Sequence, residues 1–193
     1  MKNILFLIFF SFITVFSFSQ VSVKANTKAS SLKWTGSKVT SSHEGTIKLK
    51  SGELTINEGK LVGGEFIIDM TSIENTDIED IEYKEKLEKH LKANDFFGVE
   101  KHPTSLIKIT EVTYISESKY KVIADLTIKN ITHSVSFDAE VKINNNSYLA
   151  IATIVFDRTK YDIKYNSGSY FDDLGNYLIL DDVKLNVFLL SEK

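Results

Sequence analysis

Four histidines are the residues of this chain with the widest range of possible chemistry: His43, His90, His102 and His133. Neutral imidazole is a common zinc ligand, but no two of these residues lie at a metal-ligand spacing, and the chain has no cysteine. We therefore predict no metal site. His43 stands near the start of a predicted strand beside Gly45, where its ring could meet the polar head of a ligand at a cavity mouth. A hydrogen-bonded or solvated histidine is the alternative.

A run of carboxylates is the second candidate for chemistry. Its members are Glu74, Asp77, Glu79, Asp80, Glu82 and Glu85. The run lacks the Asp-x-Asp-x-Asp-Gly spacing of a calcium loop, and its last members fall in the first turn of a predicted helix, where the helix dipole favours negative charge. No Gly-x-Ser-x-Gly elbow, cysteine nucleophile or phosphate-binding glycine loop accompanies it. We predict a solvated helix start and no catalytic residue.

Arg158 is the only arginine of the chain and directly follows Asp157. A planar guanidinium at a strand end either anchors the head group of a ligand or ties the strand to a neighbouring loop, and both interpretations stay open. A carboxylate partner is expected from among Asp157, Asp172 and Asp173. Tyr161 and Tyr165 are expected to converge on the same cavity mouth.

The composition excludes several classes of protein. A formal net charge of −3 over 193 residues provides no basic footprint for nucleic acid. Without cysteine, the fold contains no disulfide and its stability must come from a hydrophobic core. No cofactor-binding motif is present, so we predict none.

Residues 1–19 have the pattern of a secretory signal peptide: one early cation, an apolar run and small residues before Gln20. A membrane anchor is the alternative, but the apolar run is shorter than the ~20 residues that span a bilayer. We expect cleavage before Gln20 and export, to the periplasm in preference to the medium. Residues 20–193 are expected to form a single domain that has no stable membrane span and is a monomer or a weak homodimer.

Alternation of apolar and polar residues predicts β-strands over most of the chain. The clearest strand has Val135, Phe137, Ala139 and Val141 on one face and polar residues on the other. Further strands are predicted at 32–39, 46–50, 53–57, 60–70 and 177–190, with turns at 51–52 and 58–59. One helix is predicted at 82–92, with Leu87 and Leu91 on the same face.

The predicted fold class is all-β: an antiparallel lipocalin-like barrel of eight or nine strands, with one short α-helix between the strand groups. Short polar breaks make neighbouring strands antiparallel, and closure into a barrel removes the exposed edges. A flat two-sheet sandwich is the alternative. A barrel of eight strands either fills with its own side chains or encloses one small ligand, and the residues alone leave both possibilities open.

The order and spacing of several short motifs resemble the YceI family. They are Trp34, His43 with Gly45, Gly63-Gly64-Glu65-Phe66-Ile67-Ile68-Asp69-Met70, Ser72-Ile73, Leu87 through Leu91, Asp95-Phe96-Phe97, His102-Pro103, Leu126-Thr127-Ile128, and Asp157-Arg158 with Ile163. The resemblance implies an exported barrel whose internal tunnel holds a long isoprenoid or a fatty-acyl amphiphile for transport, storage or sequestration. It implies no enzymatic activity. A filled-barrel envelope or stress protein without a ligand, and a hydrolase acting on a lipid or glycan, are the alternatives.

The residues expected to bind the ligand combine the aromatic inventory with this resemblance. They are Trp34, His43, Phe66, Ile68, Leu87, Leu91, Phe96, Phe97, Tyr120, Val122, Leu126, Phe137, Phe156, Arg158, Tyr161, Tyr165 and Phe171. The chain departs from the family pattern at three glycines, which are Ala124, Asn130 and Asp162 here. Asn and Asp tolerate positive φ, so the turns at these two positions are expected to keep their shape.

Overall fold

The structure is a computed structural model that describes residues 20–145 and 147–192. The predicted signal peptide, residues 1–19, lies outside the described residues. No helix in the described part of the chain is long and apolar enough to cross a membrane.

Nine strands and one α-helix make up the described regions. The strands are β1 (Val21–Lys24), β2 (Ser31–Lys38), β3 (Ser42–Asn57), β4 (Lys60–Asn75), β5 (Thr104–Ser116), β6 (Lys119–Ile128), β7 (Ile131–Asn144), β8 (Ser147–Asp157) and β9 (Ile179–Leu190). Helix α1 (Ile81–Lys92) lies between β4 and β5, and two short 3-10 helices, Arg158–Tyr161 and Gly175–Tyr177, lie between β8 and β9.

Strands β2 to β9 form a closed antiparallel barrel. Its strand order is β3-β2-β9-β8-β7-β6-β5-β4, and pairing of β3 with β4 closes the ring. Strand β1 pairs with the second half of β3, and an isolated bridge joins Ala25 to Ser191 just beyond β9. The predicted barrel is therefore confirmed, and the open two-sheet sandwich is not the fold.

The strands alternate between the interior and the solvent as the sequence pattern predicts. On β6, Tyr120, Val122, Ala124, Leu126 and Ile128 are all buried. Inward positions of every barrel strand contribute to one apolar core, which is the arrangement expected when one face of an antiparallel sheet is buried.

The predicted turn at residues 51–52 is wrong, because β3 runs without a break through this point. The pairing of β3 with β4 shifts register between Leu49 and Ser51, and the ring of Phe66 covers Gly52 so closely that a Cβ atom there would collide with it. A glycine inside a strand often marks such a bend instead of a turn. The turn at Glu58 and Gly59 is confirmed, and both residues have positive φ.

Other element boundaries also differ from the predictions. Strand β4 continues to Asn75, strand β1 was not predicted, and β9 begins at Ile179 because residues 175–177 form a 3-10 helix. The turns at Asn130 and Asp162 keep positive φ, as expected for residue types that tolerate it. Helix α1 begins one residue earlier than predicted, and the Asp80 carboxylate caps it by accepting from the N–H groups of Glu82 and Tyr83.

The two ends of the barrel are built differently. Tight turns join β3 to β4, β5 to β6 and β7 to β8 at one end. At the other end lie the two long connections: residues 76–103, which include α1, and residues 158–178. We call this second end the helix end.

Gly45 allows β2, β3 and β4 to meet near the helix end. A Cβ atom at this position would collide with the carbonyl oxygen of Glu74 on β4 and with the Trp34 ring on β2. The indole N–H of Trp34 in turn donates to the carbonyl of Thr46 at 3.2 Å. The φ of Gly45 is not in the left-handed region, so a special backbone conformation is not the reason for glycine at this position. Glycine is required because the close approach of β4 and Trp34 leaves no room for a Cβ atom.

We expect Gly45→Ala to lower the free energy of unfolding by ~1–3 kcal/mol, the usual cost of overpacking a core position. Gly63→Ala is the matched control, because a Cβ there would make only ordinary contacts at 3.6 Å with Thr55. Urea denaturation of both variants measures the difference. Equal stabilities for the two variants would contradict the packing requirement at Gly45.

Candidate ligand-binding site

The barrel encloses a cavity of about 230 Å³. An engineered apolar cavity of ~150 Å³ is already large enough to take up benzene. Apolar side chains from all eight barrel strands form most of the wall, and Leu87 and Leu91 of α1 cover it at the helix end. The barrel interior is thus not filled by its own side chains, which the sequence alone left undecided.

The cavity is long as well as apolar. On β9 the lining residues run from Ile179 to Leu189. That distance corresponds to ~33 Å of extended strand. Because barrel strands tilt by ~35–45° to the axis, the wall is ~25 Å deep. A narrow, deep and apolar space fits an extended hydrocarbon chain better than a compact ring.

The structure brings thirteen of the seventeen predicted ligand-binding residues to the cavity wall. They are Trp34, His43, Phe66, Ile68, Leu87, Leu91, Phe96, Phe97, Val122, Leu126, Phe137, Phe156 and Arg158. Their contact with a ligand remains a prediction.

The other four predicted residues lie outside the cavity wall. Tyr120 is buried against Tyr114. Tyr161 packs edge-on against His133 and Phe156, and burial raises the pKa of its phenol to about 12. Both rings are buried, and neither is among the side chains that line the cavity.

Tyr165 and Phe171 belong to the connection between β8 and β9, and both remain exposed. Tyr165 contacts the rings of His90 and Phe96 from the outside, at 4.6 and 5.6 Å between centroids. The expectation that Tyr161 and Tyr165 converge on the cavity mouth treats the connection as a simple loop. In the structure Tyr161 ends a 3-10 helix and packs on His133 and Phe156, whereas Tyr165 packs on His90 and Phe96.

Many lining residues were not predicted, and most of these are small or aliphatic. Examples are Leu54, Ala139, Val141, Ala150 and Leu189. Each occupies an inward position of a strand, so the alternation that locates the core also contained these positions. The emphasis on aromatic residues in the prediction passed over them.

Phe96 and Phe97 connect the segment after α1 to the barrel. Phe96 is buried and Phe97 is half-buried, and both line the cavity. The ring of His90 on α1 packs edge-on against Phe96, while its Nε2 lies 2.9 Å from Asp95 Oδ2. The aromatic pair is therefore received by an apolar environment that includes both the helix and the barrel.

Arg158 is only 2 % exposed, and its guanidinium is bound by the protein itself. Its Nε donates to the carbonyl of Leu180 at 3.1 Å, its Nη1 to that of Ile163 at 2.7 Å, and its Nη2 to that of Ile179 at 3.0 Å. Nη2 also lies 3.4 Å from the Asp181 carboxylate. These contacts tie the end of β8 to β9 and to the following connection.

The carboxylate beside Arg158 is not one of the three that the sequence predicted. Asp181 on β9 takes the place expected for Asp157, Asp172 or Asp173. Asp157 instead caps the 3-10 helix by accepting from the N–H and hydroxyl of Thr159. Because β8 and β9 are antiparallel neighbours, Asp181 is close in space although far in sequence.

The polar part of the cavity wall is concentrated on the β2–β3 hairpin. This hairpin contributes Ser37, Lys38 and His43, whereas Ser105 and Arg158 are buried elsewhere in the wall. Beside them, Gly36 faces open space, because an added Cβ would meet no atom within 4 Å. The hairpin therefore combines hydrogen-bonding groups with unfilled volume at the helix end.

The orientation of His43 is fixed by Asp77. Nδ1 of His43 lies 2.9 Å from Asp77 Oδ2. The other oxygen of Asp77 accepts from the Glu44 N–H and from the side chain of Asn75, which is fully buried. Burial by itself raises the pKa of the Asp77 carboxyl, but these hydrogen bonds and His43 outweigh it and leave the pKa lowered. An ionised Asp77 can only accept, so the Nδ1–H of His43 donates to it, and Nε2 is the ring nitrogen that remains for a ligand.

The last members of the carboxylate run lie where the sequence predicted, at the start of α1. Asp80 caps α1 and Glu82 lies in its first turn. Within the described residues, no group of three or more His, Asp or Glu side chains is arranged to hold a metal ion.

The fold and the cavity define the class of protein: a lipocalin-like closed antiparallel barrel with an internal apolar site. Residues 23–189 match the YceI-like domain family. The chain belongs to the YceI family.

Relatives with known sequences or structures agree with this family. A UPF0312 protein of Staphylococcus aureus strain USA300 is 36 % identical over 118 residues, which cover 56 % of this chain and 64 % of that protein. The chain therefore spans less than two thirds of the length of that curated relative.

Solved structures share the fold at low sequence identity. BcnA of Burkholderia cenocepacia has a TM-score of 0.70 at 17 % identity and covers 87 % of this chain and 99 % of its own. A polyisoprenoid binding domain from Saccharophagus degradans has a TM-score of 0.61 at 13 % identity, with coverages of 91 % and 99 %. A YCEI protein of Campylobacter jejuni has a TM-score of 0.52 at 16 % identity, with coverages of 100 % and 94 %.

We expect Arg158→Lys to lower the free energy of unfolding by ~2–4 kcal/mol, because a single ammonium cannot replace a fork that binds several buried acceptors. Lys160→Ala, an exposed neighbour on the same 3-10 helix, is the control and should change stability by less than ~0.5 kcal/mol. Thermal and urea unfolding measure both. A lysine variant as stable as the parent protein would show that fork geometry is unimportant.

Proposed function

We propose that this protein holds one long apolar amphiphile, an isoprenoid or a fatty-acyl lipid, in the barrel cavity without transforming it. The observation that carries the proposal is the deep cavity walled almost entirely by apolar side chains. Membership of the YceI family, and structural similarity to a domain described as polyisoprenoid binding, support the same ligand class. Transport, storage and sequestration are all consistent with such binding.

Burial of the hydrocarbon chain supplies the binding free energy. Each methylene moved from water into the cavity contributes up to ~0.8 kcal/mol, so ten of them contribute up to ~8 kcal/mol before the cost of immobilising the chain. No catalytic group is needed for this. The side chains of Val122, Val141 and Leu189 offer a wall of matching polarity along the depth of the cavity.

The head group of the ligand is proposed to lie at the β2–β3 hairpin. Lys38 can donate to a head-group oxygen, and His43 presents Nε2 in the orientation that Asp77 fixes. Arg158 is less suited to this role, because its donors are directed at backbone carbonyls and at Asp181. The ligand would then enter tail first, with its polar end remaining at the helix end of the barrel.

We also propose that the protein is exported and that residues 1–19 are removed. The support is the sequence pattern of this segment: a lysine followed by an apolar run and small residues. The intact mass of the protein recovered from cell envelopes tests this, because cleavage before Gln20 gives a defined new N-terminus.

We expect the protein purified from its native envelope to carry one stoichiometric apolar molecule, seen as a single mass difference between native and denaturing mass spectra. Ala139→Leu should reduce the occupancy, because Ala139 lines the cavity and a larger side chain there takes up ligand space. Ser136→Leu, an exposed position on the same strand, is the matched control. Identical native and denatured masses in the parent protein would favour a barrel without a ligand.

The head-group position has its own test. The Lys38→Met variant should release the ligand at least ~10-fold faster, in line with the ~1.5–3 kcal/mol of a hydrogen bond to a charged group. The His43→Ala variant should release it ~2–10-fold faster, in line with the ~0.5–1.5 kcal/mol of a typical hydrogen bond. Lys33→Met, exposed on the same strand, and His133→Ala, which lies outside the cavity wall, are the controls. Release is followed by transfer of a fluorescent fatty acid to acceptor vesicles. Unchanged release in both test variants would place the head group elsewhere.

A further inference from the structure

The helix end of the barrel carries a set of exposed apolar and aromatic side chains that we call the apolar rim. Its members are Val39, Tyr165, Tyr170, Phe171, Tyr177 and Leu180. Val39 is 62 % and Tyr177 73 % exposed, and Tyr170 and Phe171 are each 52 % exposed. Single exposed apolar residues are common on protein surfaces, but a cluster at one end of a molecule marks an interaction surface.

Backbone and side-chain hydrogen bonds hold the segments of the rim together. The N–H of Val39 donates to the carbonyl of Leu178, and the N–H of Ile179 donates to that of Asn166. The hydroxyl of Ser169 donates to the Asp181 carboxylate at 2.6 Å. The turn after β2, the connection between β8 and β9 and the start of β9 therefore form one surface.

The rim is continuous with the cavity. Leu180 is 44 % exposed and also lines the cavity, and Lys38, which precedes Val39, lines it as well. Tyr165 reaches the same region from the other side by packing on Phe96, another lining residue. An apolar path therefore leads from the exposed surface at the helix end into the interior.

We propose that the apolar rim docks on the surface of a lipid bilayer, so that the amphiphile passes between the membrane and the cavity without crossing water. This inference rests on the proposed function, because it supplies the route by which the ligand enters. An amphiphile that crosses water exposes its hydrocarbon chain, and its free energy is then higher than in the bilayer or in the cavity. Contact between the rim and the bilayer removes that barrier.

The chemistry of the rim favours a bilayer as the occupant. Three of its six members are tyrosines, whose apolar ring and polar hydroxyl suit the boundary between lipid and water. At the surface of the connection between β8 and β9, Lys160 and Lys164 are accompanied by Asp162, Asp172 and Asp173, whereas Arg158 is buried and bound by Asp181. The surface of the connection therefore has no excess of positive charge that would require anionic lipids. A second copy of the chain seated on the rim would cover the opening, whereas a bilayer can supply the ligand.

The test compares two double variants in a flotation assay with phosphatidylcholine vesicles. Tyr170→Ser/Tyr177→Ser removes two rim side chains, and Tyr114→Ser/Ile115→Ser removes two side chains of similar exposure, 48 % and 56 %, at the opposite end of the barrel. All proteins share the same N-terminus, so any contribution of residues 1–19 is common to them. We expect the rim variant to bind vesicles at least ~10-fold more weakly than the parent protein, and the control variant to bind like the parent.

Three outcomes would overturn the proposal: no vesicle binding by the parent protein, equal losses in both variants, or a rim-dependent dimer that does not bind vesicles. Native mass spectra of the same preparations separate this inference from the proposed function. A parent protein that carries ligand but does not bind vesicles contradicts only the docking surface. A parent protein without ligand, and without uptake of an added fatty acid, contradicts the proposed function.

Discussion

The pairing of β3 with β4 is the interaction on which the rest of the structure depends. It closes the sheet, so that the strands of the barrel have neighbours on both sides and their backbone groups are satisfied around an apolar interior. With that requirement met by the backbone, the inward side chains need not be polar. A ring of eight strands is also just wide enough to leave space along its axis, and the cavity is a direct consequence.

Closure of the barrel brings neighbouring strands so close together at some positions that only glycine fits. The register of β3 against β4 shifts at three places, and one of them lies beside Gly52, where Phe66 covers the strand. Near the helix end, Gly45 lets the indole of Trp34 and the backbone of β4 approach β3. Each glycine is paired with an aromatic ring that fills the space a side chain would occupy. At Gly45 and Gly52 an aromatic ring from a neighbouring strand therefore covers the bare backbone.

The two ends of the barrel are built from different elements. Tight turns close one end, whereas the helix end is assembled from α1, the β2–β3 hairpin and the connection between β8 and β9. Arg158 holds this assembly by binding the backbone of β9 and of the connection. The Asp77–His43 contact orients the imidazole of the cavity wall at the same end. Arg158 and His43 are thus held by different contacts at the same end of the barrel.

The sequence determined the fold class because alternation is a local property of each strand. The pattern around Phe137 and the tight turn at Glu58 and Gly59 were enough to predict antiparallel neighbours, and the order of the short motifs along the chain indicated the family. The positive φ at Asn130 and Asp162 followed from residue type. Most of the predicted cavity residues also reach the wall, since an inward position in a closed barrel faces either the core or the cavity.

Only the tertiary structure decided which contacts these residues make. The continuity of β3 through Gly52 depends on Phe66 from another strand, and the partner of Arg158 is Asp181 because β8 and β9 pair in a particular register. The exclusion of Tyr120 and Tyr161 from the cavity, and the support of His43 by Asp77, are likewise set by packing between distant segments. Whether a barrel is filled or hollow depends on the sum of side-chain volumes across all its strands. Local patterns do not contain that sum, so the presence of a cavity could be known only from the assembled fold.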